Sequence, residues 1–348
     1  MKNMRKFVIR VDSSRKIGSG HLMRCLTLAK RLKKDNNAEV HFISRDLEGN
    51  LNHLAENNFI LHELRRPAEE FNLQGYAAWL EVPQNIDAAE TSKILKKIGK
   101  IDRLIIDSYA IDVTWEKILR PFVDEIFVID DLANRVHDCD FLLDQNFYAD
   151  MKNRYNGLIP PHCELISGPK YALLREEFYT AEKNLRRRNG SCKNILVFYG
   201  GVDATNETMK ALNALVKLDA DNLTVNVVAG GSNLNRYEIE KFCSNHGFNF
   251  YCQVDNMAEL MNAADLSLGA GGATTLERLF MQLPTIVTAV ADNQIETCEN
   301  YSRAGFIKYL GVAENVDVDD ICRAVEDCLL KVNLLKFLDL YRTKNFWK

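Results

Sequence analysis

Lys6-Phe7-Val8-Ile9-Arg10-Val11-Asp12-Ser13-Ser14-Arg15-Lys16-Ile17-Gly18-Ser19-Gly20-His21 is the stretch whose reading decides the fold. A short apolar run, Lys6 to Val11, has strand length and strand composition. Small and polar residues with two glycines then turn the chain. From His21 to Lys34 the apolar residues recur at helical spacing, so strand, loop and helix follow one another as in the first half of a βαβ unit.

Working outward, the same alternation continues. Strands are expected at Glu39 to Ser44, Phe59 to Leu64, Arg103 to Asp107, Glu125 to Asp130 and Phe141 to Leu143, with helices at Ala88 to Ile98 and Thr114 to Val123. Around Glu182-Lys183-Asn184-Leu185-Arg186-Arg187-Arg188-Asn189-Gly190 the chain becomes charged and poor in apolar residues, the composition of a solvated linker. After it the alternation restarts with strand Asn194 to Tyr199 and helix Thr208 to Lys217, and it runs on to a helical region from Val318. The expected fold class is therefore α/β with parallel sheets, in two domains: residues 1–178, a linker at 179–192, and residues 193–348. A chain of 348 residues is long enough for two cores of ordinary size, and two domains imply a cleft.

Composition narrows the function. Hydrophobic residues make up 47% and charged residues 26%, which fits a folded globular chain. A net charge of -4 disfavours nucleic acid as a partner and leaves room for a local pocket holding one diphosphate. The nine cysteines are scattered with no CxxC pair, the usage of reduced cytoplasmic thiols. No signal peptide and no apolar run long enough for a membrane span is read in the sequence. The histidines lack ligand spacing such as HExxH, so no metal and no cofactor is expected. The oligomeric state is left open, a monomer being compatible.

Candidate sites lie where expected strands turn into helices, the edge at which open α/β sheets bind ligands. In the first domain Gly18 and Gly20 allow a backbone close to an anion, and His21 and Arg24 share one helix face. A neutral imidazole titrates near cellular pH and an arginine stays charged. A tight turn capped by His21 explains the same residues, and both readings stand at this level. The loop is not GxGxxG, which disfavours a dinucleotide. Asp107 with Tyr109, Asp130-Asp131 and Asp144 near Asn146 also end strands. Adjacent acids on a strand point to opposite sides, so one of Asp130 and Asp131 is expected to have a structural role.

The second domain offers Gly269-Ala270-Gly271-Gly272-Ala273-Thr274-Thr275-Leu276-Glu277 between a strand and a helix. Its amides and hydroxyls suit a diphosphate, and Glu277 suits the two hydroxyls of a ribose. The ligand-free alternative is a helix start with Thr274 as N-cap and Glu277 as capping-box partner. Gly200-Gly201 and Gly230-Gly231 end two further strands and extend the series. No GxSxG elbow, kinase catalytic loop or Walker motif is present.

These motifs together resemble a known family. Arg10-Val11-Asp12-Ser13-Ser14 with Gly18-Ser19-Gly20-His21-Leu22-Met23-Arg24 resembles the N-terminal signature of the UDP-sugar hydrolases of pseudaminic acid biosynthesis. Ile106-Asp107-Ser108-Tyr109, Ile129-Asp130-Asp131, Asp144-Gln145-Asn146 and Gly168-Pro169-Lys170-Tyr171-Ala172-Leu173-Leu174-Arg175-Glu176-Glu177-Phe178 are similar to its successive blocks. Gly200-Gly201-Val202-Asp203, Gly269 to Glu277 and Asp292-Asn293-Gln294 are similar to its nucleotide half. That half is shared more loosely with the glycosyltransferase that completes the peptidoglycan lipid precursor.

The resemblance implies a GT-B type fold of two Rossmann-like domains. It implies hydrolysis of UDP-2,4-diacetamido-2,4,6-trideoxy-β-L-altrose to UDP and the free sugar by inverting attack of water, with His21 as general base. It implies Asp12, Gly18, Gly20, Arg24, Tyr109, Asn146 and Arg175 on the sugar. Gly200, Gly201, Asn256, Met257, Gly271, Gly272, Thr274, Glu277, Asn293 and Gln294 would hold the nucleotide. A glycosyltransferase or epimerase acting on a UDP-amino sugar is the competing activity, because a fold and a nucleotide pocket do not choose the reaction.

Overall fold

The structure is a computed structural model that describes residues 4–36, 38–56, 58–218 and 222–343. The chain forms two compact units, Met1–Asn146 with Asp150–Leu173, and Phe147–Ala149 with Leu174–Lys348.

The first unit is built on strands β1 (Lys6–Val11), β2 (Glu39–Arg45), β3 (Ile60–Leu64), β4 (Arg103–Asp107), β5 (Glu125–Ile129), β6 (Phe141–Asp144) and β7 (Glu164–Ser167). They form one sheet in the order β3-β2-β1-β4-β5-β6-β7, every pair parallel. Apolar residues cover both faces. Phe7, Ile9 and Val11 pack with Leu22, Leu26 and Ala29 of helix Gly20–Asn36, while Val8, Leu104, Ile106 and Val128 pack with Leu95 and Trp115. Burial on both sides explains why these strands read as continuous apolar runs.

The second unit carries β8 (Asn194–Phe198), β9 (Thr224–Ala229), β10 (Asn249–Cys252), β11 (Leu266–Ala270), β12 (Thr285–Ala289) and β13 (Lys308–Val312). Their order is β10-β9-β8-β11-β12-β13, again all parallel. One apolar cluster joins Ile195, Val197, Leu266 and Leu268 to Leu212 and Leu215 and to Ile321 and Val325. The C-terminal helix Lys331–Thr343 packs here through Leu334 and Phe337, and the Tyr341 hydroxyl donates to the carbonyl of Phe306 at 2.7 Å. Residues 344–348 of the tail lie outside the described residues. The expected α/β class with two parallel sheets is the class found.

In each sheet the strand order reverses direction beside the first strand, at β1/β4 and at β8/β11. In doubly wound sheets the crevice at such a switch point, outside the carboxyl ends of the strands, is the ligand site. Val11-Asp12 and Asp107 end β1 and β4, and Tyr199-Gly200 and Gly271 follow β8 and β11.

Three local expectations are revised. The helix expected over Thr114 to Val123 ends at Leu119 and passes into a 3-10 turn over Arg120–Phe122, because Pro121 lacks the N–H that an α-helix needs. Strands β7 and β13 carry no fully buried residue, so their weak apolar pattern did not announce them. The arginine-rich stretch is not solvated throughout. Arg188 is 4% exposed, and its guanidinium donates to the carbonyls of Ala264, Met281 and Met261 at 2.8, 2.8 and 2.6 Å. Those carbonyls lie at the C-terminal ends of helices Met257–Ala263 and Thr274–Phe280, where a cation offsets the helix dipole.

Candidate active site

The loop after β1 is held from inside. The Ser14 hydroxyl accepts from the amide of Ile17 at 3.0 Å, and the Ser14 carbonyl accepts from the amide of Gly18 at 2.8 Å. Gly18 adopts φ +82°, a left-handed conformation that favours glycine. The helix then starts at Gly20 and brings His21 and Arg24 onto one face, one turn apart, toward the end of β4.

Asp107, the last residue of β4, is fully buried between them. Its Oδ1 lies 2.6 Å from Nδ1 of His21 and accepts from Nη2 of Arg24 at 2.7 Å, while its Oδ2 accepts from Nε of Arg24 at 2.6 Å. Burial alone would raise this carboxyl, but the guanidinium of Arg24 and the imidazole of His21 outweigh it and hold it well below the ordinary carboxylate range. An ionised Asp107 accepts only, so the proton between it and His21 sits on Nδ1. Nε2 of His21 has no hydrogen-bond partner among the described residues.

Around this pair stands a second layer. The Tyr109 hydroxyl donates to Oδ1 of Asp131 at 2.5 Å, and Oδ2 of Asp131 accepts from Nη1 of Arg24 at 3.2 Å and Nδ2 of Asn146 at 3.1 Å. Asp130 turns the other way, to Arg135 at 2.7 Å and to the Tyr155 hydroxyl at 3.0 Å. The two adjacent acids thus divide between the site and the scaffold. Asp12 lines a small cavity together with Ile17, His21, Trp79, Asp107 and Ser108. Its Oδ1 accepts from the amide of Arg45 at 2.7 Å and faces Nη1 of Arg10 at 2.6 Å. Arg10 and Arg45 share the buried Asp87, each at 2.8 Å.

The sequence pattern missed the aromatic wall. Trp79 and Tyr109 meet the His21 ring edge to face at centroid distances of 5.8 and 4.6 Å, and Tyr76 touches both of them. Tyr76 and Trp79 sit on a 3-10 turn, Gly75–Trp79, in a stretch with no periodicity. In the sequence Asp107 stands as one of several strand-end acids and within the Ile106-Asp107-Ser108-Tyr109 block. Of the seven residues expected on the sugar, Asp12, Gly18, Gly20, Arg24, Tyr109 and Asn146 belong to the first unit, and Arg175 belongs to the second.

The nucleotide candidates all fall in the second unit. Helix Thr274–Phe280 starts after Ala273 with no side-chain cap, so the Thr274–Glu277 capping box is not formed. Glu277 faces Arg175 instead, with Nε and Nη2 each 3.1 Å from its Oε1. Gly271 has no room for a side chain, since a Cβ there would stand 2.3 Å from Sγ of Cys298. Gln294 folds back so that its Oε1 accepts from the amide of Val290 at 3.0 Å, close under Gly272. Asp203, after Gly200-Gly201, accepts from the amides of Glu207 and Thr208 at 2.9 and 3.0 Å and so closes that helix start. Asn256 precedes helix Met257–Ala263 and bonds Glu259 at 3.1 Å, and Met257 is buried. Among the described residues no cluster of three or more His, Cys, Asp or Glu is arranged to hold a metal, and no helix is long and apolar enough to cross a membrane.

Known proteins bear on this geometry. The UDP-2,4-diacetamido-2,4,6-trideoxy-beta-L-altropyranose hydrolase of Campylobacter jejuni is 28% identical over 302 residues, 86% of this chain and 97% of its own. This chain is related to that hydrolase. An uncharacterized protein of Methanocaldococcus jannaschii is 30% identical over 308 residues, 85% of this chain, and the match spans 58% of the length of that relative. Residues 194–333 match the glycosyltransferase family 28 C-terminal domain. The MurG structure of Acinetobacter baumannii superposes with a TM-score of 0.64 at 12% identity, covering 97% of this chain and 95% of the other. At that identity it bears on the fold, which is of the GT-B type.

Proposed function

We propose that this chain hydrolyses UDP-2,4-diacetamido-2,4,6-trideoxy-β-L-altrose to UDP and the free 2,4-diacetamido sugar. The observation that supports the reading is the His21–Asp107 pair, in which Asp107 takes Nδ1 and Nε2 has no hydrogen-bond partner among the described residues. The kinship to the Campylobacter jejuni hydrolase supplies the substrate. His21 takes a proton from water as the water oxygen attacks the anomeric carbon. The C–O bond to UDP breaks, and the configuration inverts. Asp107 holds the ring in one tautomer and stabilises the imidazolium that forms. Asp12, Tyr109 and Asn146 are assigned to the sugar. Gly271, Gly272 and Thr274 are assigned to the diphosphate, Glu277 to the ribose, and the backbone at Asn256 and Met257 to the uracil edge.

The match of residues 194–333 to a glycosyltransferase domain favours a second reading, transfer of the sugar to an acceptor hydroxyl. One experiment separates them. The protein is incubated with the UDP-sugar alone in ¹⁸O-water, and UDP and sugar are followed by NMR and mass spectrometry. Hydrolysis releases UDP without any acceptor and places ¹⁸O on the sugar. Sugar that stays on UDP until an acceptor is added overturns the hydrolase reading. His21→Ala is expected to lower kcat by on the order of 10²–10⁴-fold while UDP still binds.

A further inference from the structure

Arg175 belongs to the second unit and makes three ionic contacts there. Nε and Nη2 each lie 3.1 Å from Oε1 of Glu277, and Nη1 lies 2.7 Å from Oε1 of Glu177. Its guanidinium also stands over the ring of Phe178, 5.1 Å from the centroid, which fixes its plane. The second oxygen of Glu177 accepts from the amide of Ala258 at 3.0 Å, in the first turn of helix Met257–Ala263. One cation therefore ties Glu277 to the start of that helix. Oε2 of Glu277 has no hydrogen-bond partner among the described residues, although the side chain as a whole is 15% exposed.

We propose that Arg175 is a positioning residue for the nucleotide: by holding Oε1 of Glu277 it presents Oε2 as the acceptor for the ribose hydroxyls. The inference rests on the assignment of Glu277 to the ribose. It places Arg175 behind the nucleotide rather than on the sugar. Burial pushes the Glu277 carboxyl up, and Arg175 opposes this most strongly, ahead of Arg278. Without the cation, Glu277 loses both its fixed rotamer and part of the force that keeps it ionised, and a protonated carboxyl is a poorer acceptor. Glu177 alone does not replace it, because its charge has the same sign.

The test compares binding of UDP and 2′-deoxy-UDP by calorimetry, which needs no turnover. A hydrogen bond from a hydroxyl to a carboxylate corresponds to a preference for UDP of roughly 10- to 100-fold in the unaltered protein. In R175M that preference is expected to fall to about threefold or less, with melting temperature measured alongside to show the unit still folded. R175K keeps a cation without the paired contact of Nε and Nη2, and is expected to fall between the two. A preference retained in full by R175M overturns the inference and leaves the ribose assignment standing. No preference in the unaltered protein overturns the ribose assignment itself, and the role of Arg175 with it.

Discussion

Nδ1 of His21 and Oδ1 of Asp107 stand 2.6 Å apart, and the guanidinium of Arg24 grips both oxygens of the same carboxylate. Two groups, Asp107 at a strand end and Arg24 in the first turns of a helix, therefore hold the one imidazole. The aspartate is the hinge of this arrangement, because it sets the tautomer of His21 and neutralises Arg24 at once. An asparagine in its place has the same shape but carries a donor that competes for Nδ1. Asp107→Asn is expected to reduce kcat by on the order of 10²–10⁴-fold, as orienting carboxylates do in catalytic triads. The affinity for UDP should stay within a factor of about three. Steady-state release of UDP checks the first and calorimetry the second. A kcat close to that of the unaltered protein would show that Asp107 serves only to bind Arg24.

Tyr109→Phe probes the next layer. The lost hydroxyl removes a 2.5 Å donor from Asp131, which also accepts from Arg24 at 3.2 Å and Asn146 at 3.1 Å. Leaving a half-buried carboxylate short of one donor costs about 1 kcal/mol. The edge contact of the ring with His21 remains, so kcat should change less than in Asp107→Asn. Thermal denaturation and turnover of the same preparation separate the two effects. A loss of activity as deep as that of His21→Ala, with no loss of stability, would place the hydroxyl on the reacting atoms instead.

Most of the architecture was legible because parallel strands buried on both faces write themselves as apolar runs. β1 and β4 were read with the bounds they have. The edge strands β7 and β13, which carry no fully buried residue, were not, whereas β3, also at an edge and largely unburied, was. Within the site, His21 and Arg24 were legible from helical spacing, and Asp107 from its place at a strand end. Their convergence on one carboxylate is a long-range fact, set by how β4 lies against the helix after β1. Trp79 had no local signal at all. Arg188 departs from its local composition for a related reason: a run of arginines has the composition of a solvated stretch, and only the packing shows that carbonyls from two helix ends surround one of them.

Acid should weaken the first unit through Asp87. This buried carboxylate meets Arg10 and Arg45 at 2.8 Å and the indole N–H of Trp115 at 2.9 Å. Burial would raise its pKa, but the two arginines bring it down to about 2, from 3.8 in the open chain. The unfolded chain therefore binds the proton first, and stability falls as pH drops through the window between those values. The contribution is complete above about pH 5. Urea midpoints between pH 6 and pH 3, read by tryptophan fluorescence, should decrease in the unaltered protein. In Asp87→Asn they should be lower at pH 6 and flatter with pH. Parallel curves for the two proteins would assign the acid sensitivity to other carboxylates.

Arg188 gives the clearest test of stability in the second unit. Its side chain is 4% exposed and sends five N–H···O contacts to the carbonyls of Met261, Asn262, Ala264, Met281 and Gln282. Burial lowers its pKa to about 10, so at neutral pH it remains a cation among carbonyl dipoles. Methionine has a similar length and no donor. Arg188→Met takes a donor from each of these carbonyls, of which those of Asn262 and Ala264 keep Arg186, and each buried one left unpaired costs about 1–3 kcal/mol before any relaxation. A loss on the order of 3–5 kcal/mol is expected, comparable with breaking a buried ion pair. Arg188→Lys keeps the charge but cannot reach both helix ends with one ammonium, and should lose roughly half as much. Differential scanning calorimetry with and without UDP resolves this: the transition that UDP shifts upward should be the one the substitutions lower. If Arg188→Met instead lowers only a transition that UDP leaves unmoved, either the helix ends do not depend on this arginine or the second unit is not where UDP binds, and the retained affinity for UDP in the same variant tells which.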